Sequence, residues 1–430
     1  MNKLFDFISF GEVAEFRNGL NFSKDSKGNG CSIIGVGDFK DYFSPEWDQL
    51  SEIDVTGVAR KEDYLEEGDI LFVRSNGNKE LVGRSLYINN KGRKVVFSGF
   101  CIRARLISNV VNPKFLAYFT KTPFFKSSIS YADGTNINNL SQDVLKDVKI
   151  PLFSLDEQKK IADFLSAIDT KISLNKQLIK KCKNLCESLY NYWFIQFDFP
   201  DENGKSFKKN NGELIYSDLL KRKIPKNWEA RKISSFITVD TKSINPCESP
   251  NKVFKLFSIP VFDAKKTYSL EFGKDIGSDK YKVNKKHILV SKLNPKFNRI
   301  IYIEDEADQV CSTEFVVWKS TNNYLKNFLY ILAHSQQFVD HCIQSSTGTS
   351  NSHRRINPDL MMDFIIPYNE EIINSYGKAI DAMIQKMLNA EHEIRELVSL
   401  KNWILPMLMN GQISIGNTEE HLAKTFEQNG

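Results

Sequence analysis

The chain has 430 residues, more than one hydrophobic core usually serves, so two or more domains are expected. Its 41% apolar and 26% charged residues are ordinary for a soluble globular protein, and no run of about 18 apolar residues offers a membrane span. The net charge of +5 is too mild to specify a partner by itself.

The first residues, MNKLFDFISFGEVAEF, carry acids and no continuous apolar stretch, so no secretory signal is expected. The 31 phenylalanines are expected to fill cores. Seven cysteines include no Cys-x-x-Cys pair. Cys182 and Cys186 lie one helical turn apart, but no histidine or acid completes a metal site around them. All seven are expected to be reduced packing residues of a cytoplasmic protein.

Short β-like segments come first, GDILFVRS and SLYIN among them. A helix over PKFLAYFTKTPFF (113–125), a Gly134-Thr135 loop and an extended segment ending in Ile150-Pro151 follow. Ser154, three residues before Glu157, then opens a long helix expected over 154–194. Ile161, Leu165, Ile168, Ile172, Ile179, Cys182, Cys186, Leu189 and Trp193 recur in alternating steps of four and three. Asn175 fills the one gap, where a buried polar residue fixes register.

The second half repeats this plan. YLEEGDILFVRSN (64–76) aligns with YKVNKKHILVSKLN (281–294), and 113–125 aligns with KNFLYILAHSQQF (326–338). Gly134-Thr135 matches Gly348-Thr349, Asp143 matches Asp359, and Ile150-Pro151 matches Ile366-Pro367, all 214–216 residues apart. That interval is too long for a solenoid and marks a duplicated domain. A second long helix is expected over 371–409, with a seam of Ile380, Met383, Met387, Ala390, Ile394, Leu397 and Ile404, interrupted by Lys401 and ended by Gly411. About 38 residues of helix make a rod of roughly 57 Å. Two such rods would most simply pack antiparallel and hold the mixed domains apart.

Charge is concentrated in matching places. Residues 280–299 hold Lys280, Lys282, Lys285, Lys286, Lys292, Lys296 and Arg299 without an acid, and residues 74–105 hold eight cations with Glu80 alone opposing them. Such stretches suit phosphate contacts, and their equivalent repeat positions favour DNA over a merely solvated face. The candidate DNA-binding residues in the first domain are Arg74, Ser75, Asn76, Lys79, Arg84, Thr135 and Asn136. In the second they are Lys292, Asn294, Lys296, Arg299, Thr349, Ser350, His353, Arg354 and Arg355. Arg can grip guanine and Asn adenine through paired hydrogen bonds.

Catalytic patterns are missing. Asn-Pro-Lys-Phe occurs at 112–115 and 294–297, but amino-methyltransferases need a second proline where this chain has lysine. No GxxxxGK[ST], HExxH or GxSxG is present, and Ile215 stands where a nuclease signature after Pro200-Asp201 and Glu213 needs lysine. No catalytic group, metal or cofactor is therefore assigned to this chain.

IPLFSLDEQKKIADFLSAIDTKISLNKQ (150–177), above all Glu157-Gln158, Ile161-Ala162 and Leu165 through Lys171, resembles the specificity (S) subunits of type I restriction–modification systems. FGEVAEFRNGLNFSK (10–24), LYNYWFIQFDFP (189–200) and IPKNWEARKISSFI (224–237) support the resemblance. The second helix departs from it, lacking the Glu-Gln pair, though Ala379-Ile380-Asp381 echoes Ala167-Ile168-Asp169. The resemblance implies an α+β chain of two tandem target-recognition domains with two long antiparallel coiled-coil helices and a pseudo-twofold repeat. The expected bounds are 1–153 and 224–368 for the domains, 154–198 and 369–411 for the helices, 199–223 for a linker and 412–430 for a disordered tail. It further implies a bipartite asymmetric DNA target, and helices whose seams (Ile161, Leu165, Ile168, Ile172 and Asn175; Ile380, Met383, Met387 and Ile394) also serve partner docking. The implied partners are two methyltransferase subunits carrying S-adenosylmethionine, which modify adenine, and motor-nuclease subunits using Mg and ATP. Two other readings stay open: a self-contained restriction–methyltransferase, which would bind S-adenosylmethionine alone, and a structural coiled-coil adaptor, which would show no salt-dependent binding to duplex.

Overall fold

Strand Ile70–Val73 is buried along its whole length, and the sheet built around it occurs twice in the chain. The computed structural model describes residues 6–22, 27–39, 43–131, 139–200, 204–209, 212–306, 308–348 and 354–415. The expected tail falls mostly in 416–430, outside the described residues. The fold is mixed α+β and divides into two compact units. Unit 1 is 1–176 with 392–430, and unit 2 is 177–391. Each unit therefore owns part of both long helices, whereas the sequence suggested domains and helices as successive segments.

In unit 1 a four-stranded antiparallel sheet has the order Ala14–Asn18, Cys101–Leu106, Ile70–Val73, Ser85–Tyr87. In unit 2 the order is Thr238–Val239, Phe315–Lys319, His287–Ser291, Ile300–Tyr302, again antiparallel throughout. A second sheet repeats as well. Strand Lys27–Ile34 lies parallel to Val95–Phe97 and antiparallel to Ser51–Ile53. Likewise Val253–Phe257 lies parallel to Gln309–Cys311 and antiparallel to Ser269–Phe272. Two further strands, Lys280–Val283 and Ser243–Ile244, widen only the unit 2 sheet. In both units the Ile-Pro segment pairs with the domain's first strand, Lys149–Leu152 with Asp6–Ser9 and Ile365–Tyr368 with Glu229–Lys232. The chain thus returns to its starting edge before each long helix begins.

The first long helix spans Leu155–Tyr190 and ends in a π-helical turn, Asn191–Ile195. The Ser154 hydroxyl accepts the Glu157 amide at 3.3 Å, as the capping spacing requires. Gln158 is fully buried: it accepts the Asn112 amide (2.8 Å) and donates to the Val110 and Phe153 carbonyls (3.0 and 2.9 Å). The helix start is thereby tied to the loop before helix Pro113–Phe119.

Within unit 1, Ile161, Leu165, Ile168 and Ile172 are buried, the first two sharing a core with Ile404, Leu405 and Leu408 of the second long helix, Glu370–Met409. Asn175 Nδ2 donates to Glu393 Oε2 at 2.8 Å, and Lys401 Nζ donates to Asp169 Oδ1 at 2.5 Å. Partners that advance on one helix retreat on the other, so the two segments run antiparallel. Lys401 does not spoil the seam, because Asp169 receives its charge while also accepting the Tyr118 hydroxyl (2.8 Å).

Within unit 2, Cys182, Cys186, Tyr190 and Trp193 pack with Ile373, Tyr376, Ile380, Ile384 and Met387. In unit 1 the expected Ile394 and Leu397 are half-buried; in unit 2 the expected Met383 is half-buried and meets Cys186 Sγ at 4.0 Å, while Ile384 and Leu388, outside the expected seam, are also buried. The reason is a second contact. This helix packs on helix Asn323–His334 as well, so its buried face is wider than a two-helix seam. Gly377 permits the approach: a Cβ there would stand 2.0 Å from the Tyr324 carbonyl oxygen. Asn327 fastens it, donating to the Gly377 carbonyl (3.1 Å) and to Asp381 Oδ1 (2.8 Å). Residues 199–223 are more than a linker, since Phe199 stacks on Phe207 at 4.7 Å and both Phe199 and Phe197 contact Trp228. Six of the seven cysteines are buried; Cys247 is exposed.

Gly377→Ala should destabilise unit 2 by about 1–3 kcal/mol in urea unfolding, because overpacking against backbone outweighs alanine's better helix propensity. An unchanged or raised midpoint would show that the helices have room to part. Lys326 supplies a pH test. Its buried ammonium donates to the Lys285 and Ile303 carbonyls (2.6 and 2.5 Å), and burial pushes its pKa down from 10.5 to about 7. Between those values the unfolded chain holds a proton that the folded chain has released, so this group makes stability rise with pH. Lys326→Met should remove that rise, which denaturation of both proteins between pH 7 and 10 would measure.

Candidate nucleic-acid interface

The sequence candidates cluster where the central strand of each unit leaves its sheet. In unit 1 the Arg74 amide donates to the Phe100 carbonyl (2.8 Å), and the Arg74 carbonyl accepts the Leu140 amide (2.7 Å). Ser75 forms a β-bridge with Asn139. The strand end is thus clamped between the 98–101 turn and the segment entering helix Gln142–Asp147. Asn76 Oδ1 accepts the Asn78 amide at 2.8 Å, and Asn78 Oδ1 accepts the Glu80 amide at 3.0 Å, which shapes the following turn. Lys79 is exposed on that turn; Arg84 is half-buried, its guanidinium 3.5 Å from the Phe39 carbonyl.

Unit 2 repeats the clamp with other side chains. The Lys292 amide donates to the Glu314 carbonyl (2.9 Å), and its carbonyl accepts the Ile356 amide (3.1 Å). Leu293 bridges to Arg355, and the Asn294 amide donates to the Arg354 carbonyl (2.8 Å). In both units backbone hydrogen bonds therefore join the basic strand end to the chain just after the Gly-Thr loop. Thr135, Asn136, Thr349, Ser350 and His353 lie outside the described residues.

Not every candidate cation is available at the surface. Arg299 is 9% exposed; its Nε and Nη2 grip Asp263 at 2.7 Å each, and Nη1 donates to the Leu293 carbonyl at 3.1 Å. That fork holds the Asp263 carboxyl below its usual range. Arg299 is a brace rather than a free donor. Asn294 is buried with φ 47°, so its place is a left-handed turn that few residues tolerate. Arg355 pairs with Glu314 through Nε and Nη2 (3.0 and 3.3 Å), which raises its pKa. Arg354 donates to the Ser346 carbonyl at 3.1 Å. Lys296 is exposed, and Arg74 and Lys292 are half-buried at the strand ends.

Two residues the sequence did not single out belong to this surface. Phe100 and Phe297 are exposed large apolar residues, one in each cluster. Phe297 appeared only in the rejected Asn-Pro-Lys-Phe match and Phe100 in no motif, because their proximity to the strand ends is a product of turns. Among the described residues no group of side chains could hold a metal ion, and no helix is long and apolar enough to cross a membrane.

A family model for the type I restriction modification DNA specificity domain matches residues 2–184. The chain is 25% identical over 313 residues to the type I restriction enzyme MjaIX specificity subunit of Methanocaldococcus jannaschii, covering 70% of this chain and 69% of that one. It is 23% identical to the HindI specificity subunit of Haemophilus influenzae, covering 84% and 89% of the two chains. Its fold is similar to the crystal structure of a type I restriction–modification S subunit from M. genitalium, with a TM-score of 0.59 at 15% identity over 95% of this chain and 96% of that one.

The Arg299 brace makes a direct prediction. Arg299→Lys keeps the charge and loses the fork, so amide exchange should quicken at Phe297 and Asn298, whose N–H groups close the turn at 3.0 and 2.9 Å. Strand His287–Ser291 should exchange as before. Equal exchange at the turn in both proteins would show that something else holds it.

Proposed function

Because the chain belongs to the specificity subunits of type I restriction–modification systems, we propose that it is the DNA-recognition subunit of such a complex and reads a bipartite, asymmetric target. The observation that carries this reading is the clamp at the end of the central strand. It is built twice by the same backbone bonds and presents different side chains each time, Arg74-Ser75-Asn76 in unit 1 and Lys292-Leu293-Asn294 in unit 2. One architecture with two diverged surfaces suits two half-sites of different sequence.

In this reading the two units are tandem target-recognition domains. Arg74, Lys79 and Arg84, and Lys292, Lys296, Arg354 and Arg355, meet phosphates and base edges. The long helices form an antiparallel coiled-coil pair, and both run from one unit into the other. Together they set the spacing between half-sites that lie about one DNA turn, ~34 Å, apart. Asn175 with Glu393 supports a fixed register, since a polar pair in an apolar seam is satisfied in one alignment only. The helix face left exposed among the described residues, with Leu178, Leu185 and Tyr192 at heptad spacing, supports docking of partner helices.

The partners in this reading are two methyltransferase subunits and motor-nuclease subunits. S-adenosylmethionine, Mg and ATP act on those subunits, and this chain contributes recognition and geometry. Mapping methylated adenine across the genome in cells with and without the chain tests the proposal. One split motif should lose methylation on deletion and regain it when the chain is restored. If no split motif disappears, the reading fails.

A further inference from the structure

Each unit keeps one phenylalanine ring in solvent beside its clamped strand end, Phe100 at 58% exposure and Phe297 at 56%. A lone exposed apolar side chain on a loose loop would need no explanation. These two stand on turns that are held firmly.

Phe297 ends the turn Pro295–Phe297, whose proline is buried. Asn294 before it and Asn298 after it both take left-handed backbone, φ 47° and 45°, a state that asparagine tolerates better than other residues with a side chain. The Arg299–Asp263 fork fixes the turn's far end. Two cations lie against the ring, Arg299 Cζ at 4.8 Å and Lys296 Nζ at 5.1 Å from its centroid. Phe100 is held differently. The Cys101 amide donates to the Ser98 carbonyl (2.8 Å), the Gly99 amide to the Leu20 carbonyl (2.7 Å), and the Phe100 carbonyl accepts the Arg74 amide. Gly19 lets the neighbouring chain approach this turn, since a Cβ there would stand 2.2 Å from the Ser98 carbonyl oxygen.

The two rings are not a legacy of the duplication. The carbonyl that accepts the strand-end amide belongs to Phe100 in unit 1 and to Glu314 in unit 2, where the side chain pairs with Arg355. Unit 2 places its ring instead in the loop between strands His287–Ser291 and Ile300–Tyr302. Each unit thus places a braced, exposed phenylalanine beside its strand end from a different loop.

We propose that Phe100 and Phe297 are apolar wedges, each pressing into the stacked base pairs of the half-site its unit reads and unstacking one step. The inference rests on the DNA-reading function proposed above. Unstacking needs a ring that does not retreat, which the bracing provides, and neighbouring cations to hold the phosphates beside the opened step. Flexible pyrimidine–purine steps yield most readily, so each half-site should contain one near its wedge.

The test uses the chain assembled with its methyltransferase partners and duplexes carrying 2-aminopurine at successive positions of the mapped target. Binding should raise fluorescence at one step in each half-site. Phe297→Ala should abolish the rise in the half read by unit 2 alone and weaken binding roughly tenfold. It should leave the slope of log K against log salt unchanged, because no phosphate contact is lost. Phe297→Trp should retain the signal, and Phe100→Ala should act on the other half only. Full affinity and an unaltered fluorescence pattern in both alanine variants would overturn the proposal. So would weaker assembly with the methyltransferase at unchanged DNA unstacking, which would make the rings protein contacts. Failure of the wild-type complex to bind any duplex would instead refute the DNA reading beneath it.

Discussion

The long helices are useful only if each is fastened to the unit that it serves, and one aspartate per helix marks that fastening. In unit 1, Asp169 accepts the hydroxyl of Tyr118 from helix Pro113–Phe119. In unit 2, Asp381 accepts Nδ2 of Asn327 from helix Asn323–His334. Both aspartates follow the same Ala-Ile pair in sequence. A hydrogen bond to a charged acceptor at a partly dry contact is directional and stronger than a neutral one, so it sets the rotation of each helix about its axis. The apolar face does the larger energetic work, but apolar packing alone tolerates slippage.

The same division of labour governs the candidate surface. Backbone bonds clamp the strand ends, ion pairs brace the loops, and few side chains remain free. Arg299 and Asp263 spend a bidentate pair on holding Phe297 in place. A buried, doubly bonded guanidinium contributes shape, whereas the exposed Lys296 beside it contributes charge. Both lie in one basic stretch of sequence, and burial separates their roles.

Much of the architecture was legible in the residues. Collinear matches 214–216 residues apart gave the duplication, and the four-stranded sheets follow it strand for strand, while the second sheet is wider in unit 2. The capping serine, the first helix's apolar seam and Asn175 all stand where spacing put them. The second seam was less legible. Its apolar face serves two contacts, so heptad counting found Met383, which meets Cys186, and missed the buried Ile384 and Leu388. Gln158 was visible only as part of a resemblance; its three hydrogen bonds to distant backbone explain its presence and leave no local trace.

The tetrapeptide Asn-Pro-Lys-Phe shows where sequence stops. At 112–115 its asparagine caps a helix and its phenylalanine is buried. At 294–297 the asparagine turns left-handed and the phenylalanine faces solvent. Local propensities are identical, so the difference comes from what each copy is bonded to, Gln158 in the first case and the Arg354 carbonyl in the second. The sequence by itself determined the duplication, the long helices and the concentration of charge beside the central strands, because periodicity and composition are local properties. Only the tertiary structure decided which cations are spent internally, which helix faces stay open and which rings reach solvent. Those outcomes depend on partners far along the chain, and burial and pairing exist only once the chain has folded.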